Sequence, residues 1–272
     1  MGEWNAMTYE GKDNLLRVVR REAEGMFAMA EEPGVWEAPT TSTGWQVRDV
    51  IGHLVDVTEA YFEAFDAARG GPAVPEAYGL TGMGARLNEK ARAFRTVSQS
   101  ELMDRVRSDF EKMMGIEEAL TEEEWGGLTV SHFYMGPLPA FFYPAFQLMD
   151  YGVHSWDIRQ GMGRAHGLAG DAADLLVPFM MVLWSATAAV DPGIEPFEVG
   201  VRVTSGPNAA DYRVKVGPEG FVHEAGKIDD LPVAFEFDPA SLVLTAFGRV
   251  NAGTYRGDPA LADRFLNVFF RI

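Results

Sequence analysis

The sequence predicts a helical bundle followed by a smaller α+β domain, and three observations carry that prediction. Apolar residues recur at helical spacing through four long stretches of the first part of the chain. Beyond residue 165 the texture changes to short alternating runs bounded by Gly, Pro and Asn turns. A chain of 272 residues is long enough for two cores. We therefore expect the bundle over residues 1–165 and the α+β domain over residues 166–272, hinged within 160–172.

Residues 13–30 carry Leu15, Leu16, Val19, Ala23, Met26 and Phe27 on one side and Arg17, Arg20, Arg21 and Glu24 on the other, the pattern of an amphipathic helix. Pro33-Gly34 stops it. The run Pro39-Thr40-Thr41-Ser42-Thr43-Gly44 is a turn-rich connection whose hydroxyls are placed to cap the next helix. That second helix is expected over residues 45–68, striped by Val47, Ile51, Leu54, Thr58, Phe62 and Phe65 and ended by Gly70-Gly71-Pro72. His53 lies on the edge of that stripe. Residues 79–120 read as a third helical arm, with a capping box at Ser98 and Glu101, and Thr121 with Glu124 repeats the signature for a short turn. Residues 128–137 read as a loop carrying His132 and Tyr134. The fourth helix is expected from Leu138 to Gly161, with Pro139 in its first turn and Pro144 tightening or kinking it.

In the second domain, residues 171–190 form one more apolar helix closed by Asp191-Pro192-Gly193. Strands are expected over 197–204, 212–216, 221–223 and 233–237. Helices come next over 239–247 and 259–269, the last led by Asp258 as N-cap before Pro259.

Composition narrows the function. With 23 basic and 40 acidic residues the formal charge is −17, which disfavours nucleic acid and anionic membrane as partners, because both demand a positive surface. The chain has no cysteine, so disulfides, a thiolate of its own and Cys-rich zinc sites are excluded, and His and carboxylates remain as metal ligands. Neither a signal-peptide pattern nor a run of 18 apolar residues occurs, and a cytoplasmic protein is the expectation, monomeric or homodimeric.

Within the fourth predicted helix stands Met149-Asp150-Tyr151-Gly152-Val153-His154-Ser155-Trp156-Asp157. Asp150 and His154 are one helical turn apart on one face, spaced to share an ion, and a carboxylate with an imidazole suits zinc, iron or nickel. Bundles assemble metal sites from inward-facing side chains of different helices, which nominates His53 as a third ligand. His132 is a further ligand candidate or a surface histidine. His166 and His223 have no partner in the pattern and read as incidental.

The segment Thr43-Gly44-Trp45-x-Val47-Arg48-Asp49-Val50-Ile51-x-His53-Leu54, with Asp150-x-x-x-His154-x-x-Asp157 far downstream, resembles the mycothiol-dependent maleylpyruvate isomerase family, part of the DinB-like group of metal-binding four-helix bundles. Leu242-x-Leu244-x-x-x-Gly248-Arg249 and Gly257-Asp258-Pro259-x-Leu261-Ala262 are similar to that family's sterol-carrier-like C-terminal domain. The resemblance implies a divalent metal, usually zinc, on His53, Asp150 and His154. It also implies mycothiol as thiol cosubstrate. The family normally has Glu where this chain has Asp150. Asp157 matches an acid that fixes the tautomer of the ligand imidazole, or it is a helix-end acid bonded to Arg159 or Arg164. Arg249 corresponds to an arginine that the second domain presents to the active-site cleft, where a guanidinium can grip a carboxylate.

A three-ligand ion with one open position would deprotonate an incoming thiol, and a chain without cysteine has to borrow that sulfur. The expectation is a mycothiol-dependent isomerase or transferase acting on an electrophilic small molecule. One alternative is a thiol-free metal enzyme, a hydrolase, lyase or cyclase on the same scaffold. Another is a non-catalytic binding protein whose aromatic residues Tyr61, Phe141, Phe142, Phe146 and Trp156 hold an apolar ligand.

Overall fold

The structure, a computed structural model, describes residues 2–164, 167–188, 191 and 193–269. His166, Pro192 and the expected helix end at residues 189–190 lie outside that set. The chain forms two compact units, Ala6–Leu168 and a second from Ala169 onward that also takes in Glu3–Asn5.

The first unit is the bundle. Helix α1 (Lys12–Ala30) buries Leu15, Val18, Val19, Met26 and Phe27, and the ammonium of Lys12 donates to the carbonyls of Glu118 at 2.7 Å and Leu120 at 2.6 Å, a cation at the negative end of another helix. Helix α2 (Val47–Ala68) opens on a capping box, in which Gln46 N donates to Asp49 Oδ2 at 2.8 Å. Asp49 is fully buried, and although burial opposes it, the Arg95 guanidinium and the Gln46 amide hold its carboxyl below the usual range. The Thr and Ser hydroxyls of residues 40–43 therefore do not cap this helix.

The expected third arm divides into α3 (Met83–Ala93) and α4 (Gln99–Glu118), separated by a 3-10 turn at Phe94–Thr96. Ser98 caps α4 as predicted, its Oγ accepting from Glu101 N at 3.3 Å. Helix α3 comes so close to α2 at Gly52 that an added Cβ would stand 2.8 Å from the Ala91 carbonyl oxygen. The short α5 (Glu122–Gly127) carries the reciprocal Thr121 and Glu124 cap.

Residues 128–137 are not a loop. Strands β1 (Thr129–His132) and β2 (Gly136–Pro139) form an antiparallel hairpin, registered from Thr129 opposite Pro139 to His132 opposite Gly136. Pro139 thus ends a strand rather than opening a helix, and α6 runs from Phe142–Gly161. Gly136 at φ +77° supplies the left-handed residue that the turn requires. It is Pro144 that occupies the first turn of α6, where no amide bond is lost.

Helix α6 is the axis of the bundle. Every residue from Phe142 to Ile158 is buried, so the helix has no solvent face and its polar side chains must find partners inside. It packs on α1 and α2, and α2 packs on α4. Glu117 of α4, fully buried, receives the Gln147 amide of α6 at 3.0 and 3.2 Å once that amide is oriented to satisfy both groups. Burial pushes the Glu117 carboxyl well above its usual value; Glu118 adds to the rise and Lys12 opposes it.

The second unit begins with α7 (Gly170–Thr187) and continues through β3 (Phe197–Val203), β4 (Ala210–Gly217), β5 (Gly220–Ala225), β6 (Val233–Phe237), α8 (Pro239–Ala246), β7 (Thr254–Gly257) and α9 (Pro259–Leu266). The five strands lie in the order β5-β4-β3-β6-β7, antiparallel except for the β3 and β6 pair. Strand β7 is absent from the sequence-based expectation because all four of its residues are exposed and show no apolar alternation. Asp238 and Asp258 cap α8 and α9. The core centres on Trp184, whose ring meets Phe265 at 5.6 Å and Phe237 at 6.0 Å. Among the described residues no helix is long and apolar enough to cross a membrane.

Candidate metal centre

The cluster arises where α2 and α6 pack. His53 projects from the second turn of α2, and Asp150 and His154 from successive turns of α6. All three are buried, and one ligand atom from each lies within 4.8 Å of the other two. His53 Nε2 is 3.9 Å from Asp150 Oδ1, and the two imidazole rings stand edge to face at 5.3 Å. Ligands of a tetrahedral zinc at ~2.0–2.2 Å sit roughly 3.3 Å apart, so this spread closes with modest side-chain movement.

Two further observations fit a cation. Asp150 is a buried carboxylate whose ion-pair partner is the His53 ring, at a separation too long for a hydrogen bond. His53 also keeps a buried Nδ1 with no partner. A buried acid is costly unless something completes it, and two imidazoles with one carboxylate are a zinc-type donor set; an ion on His53 Nε2 leaves Nδ1 to a different partner.

The orientation of His154 comes from Asp157. His154 Nδ1 and Asp157 Oδ2 are 2.9 Å apart, which leaves Nε2 as the lone-pair donor. Burial pushes the imidazole below its usual value while the Asp157 carboxylate pulls the other way, and the result favours the neutral ring that a metal needs. Asp157 is itself held by the connection before α2: Thr41 Oγ1 donates to Oδ1 at 2.5 Å and Ser42 Oγ to Oδ2 at 3.2 Å. Neither Arg159 nor Arg164 is its partner in these bonds; Arg164 pairs with Glu32. The connection can lie this close because residue 161 is Gly, where a Cβ would collide with the backbone of Pro39 and Thr40. Thr41 and Ser42 are thus part of the site, and only the run of hydroxyls marked them in the sequence.

Trp45 forms one wall, its ring 5.3 Å from His53 and 5.9 Å from His154, with its indole N–H donating to Asn88 Oδ1 at 3.0 Å. His132 is buried in the hairpin, not on a surface loop, and is not in the ligand cluster. Tyr61, Phe142, Phe146 and Trp156 are buried, and Phe141 stacks on Phe142 at 4.7 Å, which makes the aromatic stripe core packing. Arg249 belongs to the second unit, half-buried, its guanidinium 5.0 Å from the Phe247 ring. His223, on β5, is flanked by Tyr212 and Phe221.

A family model, the mycothiol maleylpyruvate isomerase N-terminal domain, matches residues 17–159. No curated protein matches the chain. Among solved structures, a mycothiol-dependent maleylpyruvate isomerase is similar with a TM-score of 0.60 at 14% identity, over 90% of this chain and 93% of that one. A histidine-to-alanine mutant of such an enzyme gives 0.60 at 13%, over 91% and 95%. At these identities the likeness is one of fold.

Proposed function

The chain belongs to the mycothiol maleylpyruvate isomerase N-terminal domain family, and from that premise we propose that it is a metal-dependent enzyme that uses a low-molecular-weight thiol, mycothiol, to isomerise an electrophilic small molecule. The observation that carries the reading is the convergence of His53, Asp150 and His154 in one buried cluster. A zinc ion held there would keep a thiol ionised at neutral pH.

The chain's own residues supply the rest. Asp157 fixes the His154 tautomer, and Thr41 and Ser42 hold Asp157. Trp45 excludes water from one side. Arg249 is assigned to a carboxylate of the substrate, a role supported by family resemblance and by the guanidinium's fit to carboxylates. In the isomerisation the thiolate sulfur bonds to one carbon of a double bond conjugated to a carbonyl, whose electrons move onto the carbonyl oxygen. The former double bond rotates, the electrons return, and the thiolate leaves. A transferase would stop at the thioether.

The test is to incubate zinc-loaded protein with mycothiol and maleylpyruvate and to monitor both isomer and conjugate. Isomer formed only with thiol and metal present supports the reading. Turnover without thiol would move the assignment to a thiol-free metal enzyme, and neither product from protein carrying its metal would refute it. Arg249→Met should raise KM for the acid substrate and leave metal content unchanged.

A further inference from the structure

One short stretch of chain braces both ligand imidazoles, by different means. Residues 40–45 close on themselves: Trp45 N donates to Ser42 O at 2.9 Å and Thr40 N to Trp45 O at 3.1 Å. From this turn Thr41 and Ser42 reach Asp157, which orients His154 by a hydrogen bond. His53 has no such bond. Its Nε2 is 3.9 Å from Asp150 Oδ1, and among the described residues no group pairs with its buried Nδ1. A metal-binding imidazole is usually oriented through its other ring nitrogen, so this ring depends instead on what packs against it.

The His53 ring is met by that of His154 at 5.3 Å and by that of Trp45 at 5.3 Å. Asp157 sets the first. The second is set from α3, where the Trp45 indole N–H donates to Asn88 Oδ1 at 3.0 Å. An indole nitrogen can only donate, so the carbonyl of Asn88 and not its amide nitrogen faces the ring. One turn further along α3, Arg92 donates to the Gly44 carbonyl at 2.9 Å, and the helix thus grips the backbone of one residue and the side chain of the next. Asn88 is half-buried and outside the hydrophobic core, so shortening it loosens this grip without opening a core cavity.

We propose that Asn88 is a positioning residue for the metal centre: by holding the Trp45 indole it sets the orientation of His53, as Asp157 sets that of His154. The inference rests on the metal-centre reading and adds to it the means by which the second imidazole is kept in place. Neither Asn88 nor Trp45 moves a proton or touches the ion. One neutral hydrogen bond corresponds to roughly a three- to tenfold change in affinity, which is the scale on which Asn88 acts.

The experiment measures zinc affinity, by competition with a chelating dye, in the wild type, Asn88→Ala, Asn88→Asp, Trp45→Phe and the double variant W45F/N88A, each checked for folding by circular dichroism. N88A deletes the acceptor and should bind zinc about fivefold more weakly, whereas N88D keeps an acceptor and should stay within about twofold of the wild type. W45F keeps a ring beside His53 and deletes the N–H, so it should lose at least as much as N88A. The double variant should then be no weaker than W45F alone, since both changes remove the same bond. Zinc affinity of N88A equal to that of the wild type, an N88D as weak as N88A, or losses in N88A and W45F that multiply would overturn the proposal and leave the metal centre standing. A wild type that takes up no zinc would overturn the metal centre and the role of Asn88 together.

Discussion

The two units of the molecule bury different things. Among the described residues the bundle encloses eight side chains of the Lys, Asp, Glu and His types: Lys12, Asp49, His53, Glu117, His132, Asp150, His154 and Asp157. The second unit encloses one, Asp174, whose carboxylate receives the Asn208 side-chain amide at 3.1 Å. Its other charges pair at the surface, as in the bidentate contact of Arg202 with Asp211. Burying a charge without a partner opposes folding, so a core that contains many must have a use for them or a partner for each. In the bundle, Lys12 and Asp49 have partners that serve structure, and the remaining polar groups gather along α6. The second unit is an aromatic core with a charged exterior. Both units have an apolar core, and the buried polar seam along α6 belongs to the bundle alone.

That contrast can be broken by substitutions in either unit. The largest stability loss is expected from Trp184→Ala in the second unit, about 3–5 kcal/mol by denaturant unfolding, with metal content unchanged. Metal loss in W184A would show that the site in the polar seam depends on the second unit's core. In the bundle, Asp157→Ala should lower zinc affinity about 10–100-fold in competition with a chelating dye and cost less stability, because it frees the His154 tautomer. Asp150→Glu should tighten zinc several-fold, since a longer arm narrows a cluster that spans up to 4.8 Å; weaker binding would mean that the shorter acid is matched to its surroundings.

Glu117 gives the bundle a pH signature. Its folded pKa lies above its unfolded one because of burial, so the folded state retains a proton that the unfolded chain releases. The resulting stability is fully present below the unfolded carboxyl range and is lost as pH rises toward the folded value. Glu117→Gln should therefore raise Tm more at pH 8 than at pH 5, with Gln147 still able to bond it; an equal shift at both would contradict this account. The smallest effect is expected at the surface of the second unit, where Arg202→Met should cost no more than about 1 kcal/mol.

Much of this was legible in the sequence because helical periodicity and the spacing of Asp150 and His154 are local signals. The apolar stripe located α2 and α6, and the pairing of His53 with them came from bundle logic. What escaped was non-local or lacked contrast. Thr129–His132 alternates its buried Val130 and His132 with Thr and Ser, yet the Pro-Leu-Pro after it resembled a helix start more than a strand. The hydroxyls of Thr41 and Ser42 looked like caps for the next helix, and they instead reach an acid more than a hundred residues away. Strand β7 has no buried face to reveal it.

The most direct test of the central claim is the metal content of wild type and His154→Ala purified without chelator and then offered zinc. The account predicts about one divalent ion per wild-type chain and almost none in H154A, with both proteins giving the same helical circular dichroism. A wild type that holds no ion after zinc is supplied, or an H154A protein that holds as much as the wild type, would contradict it.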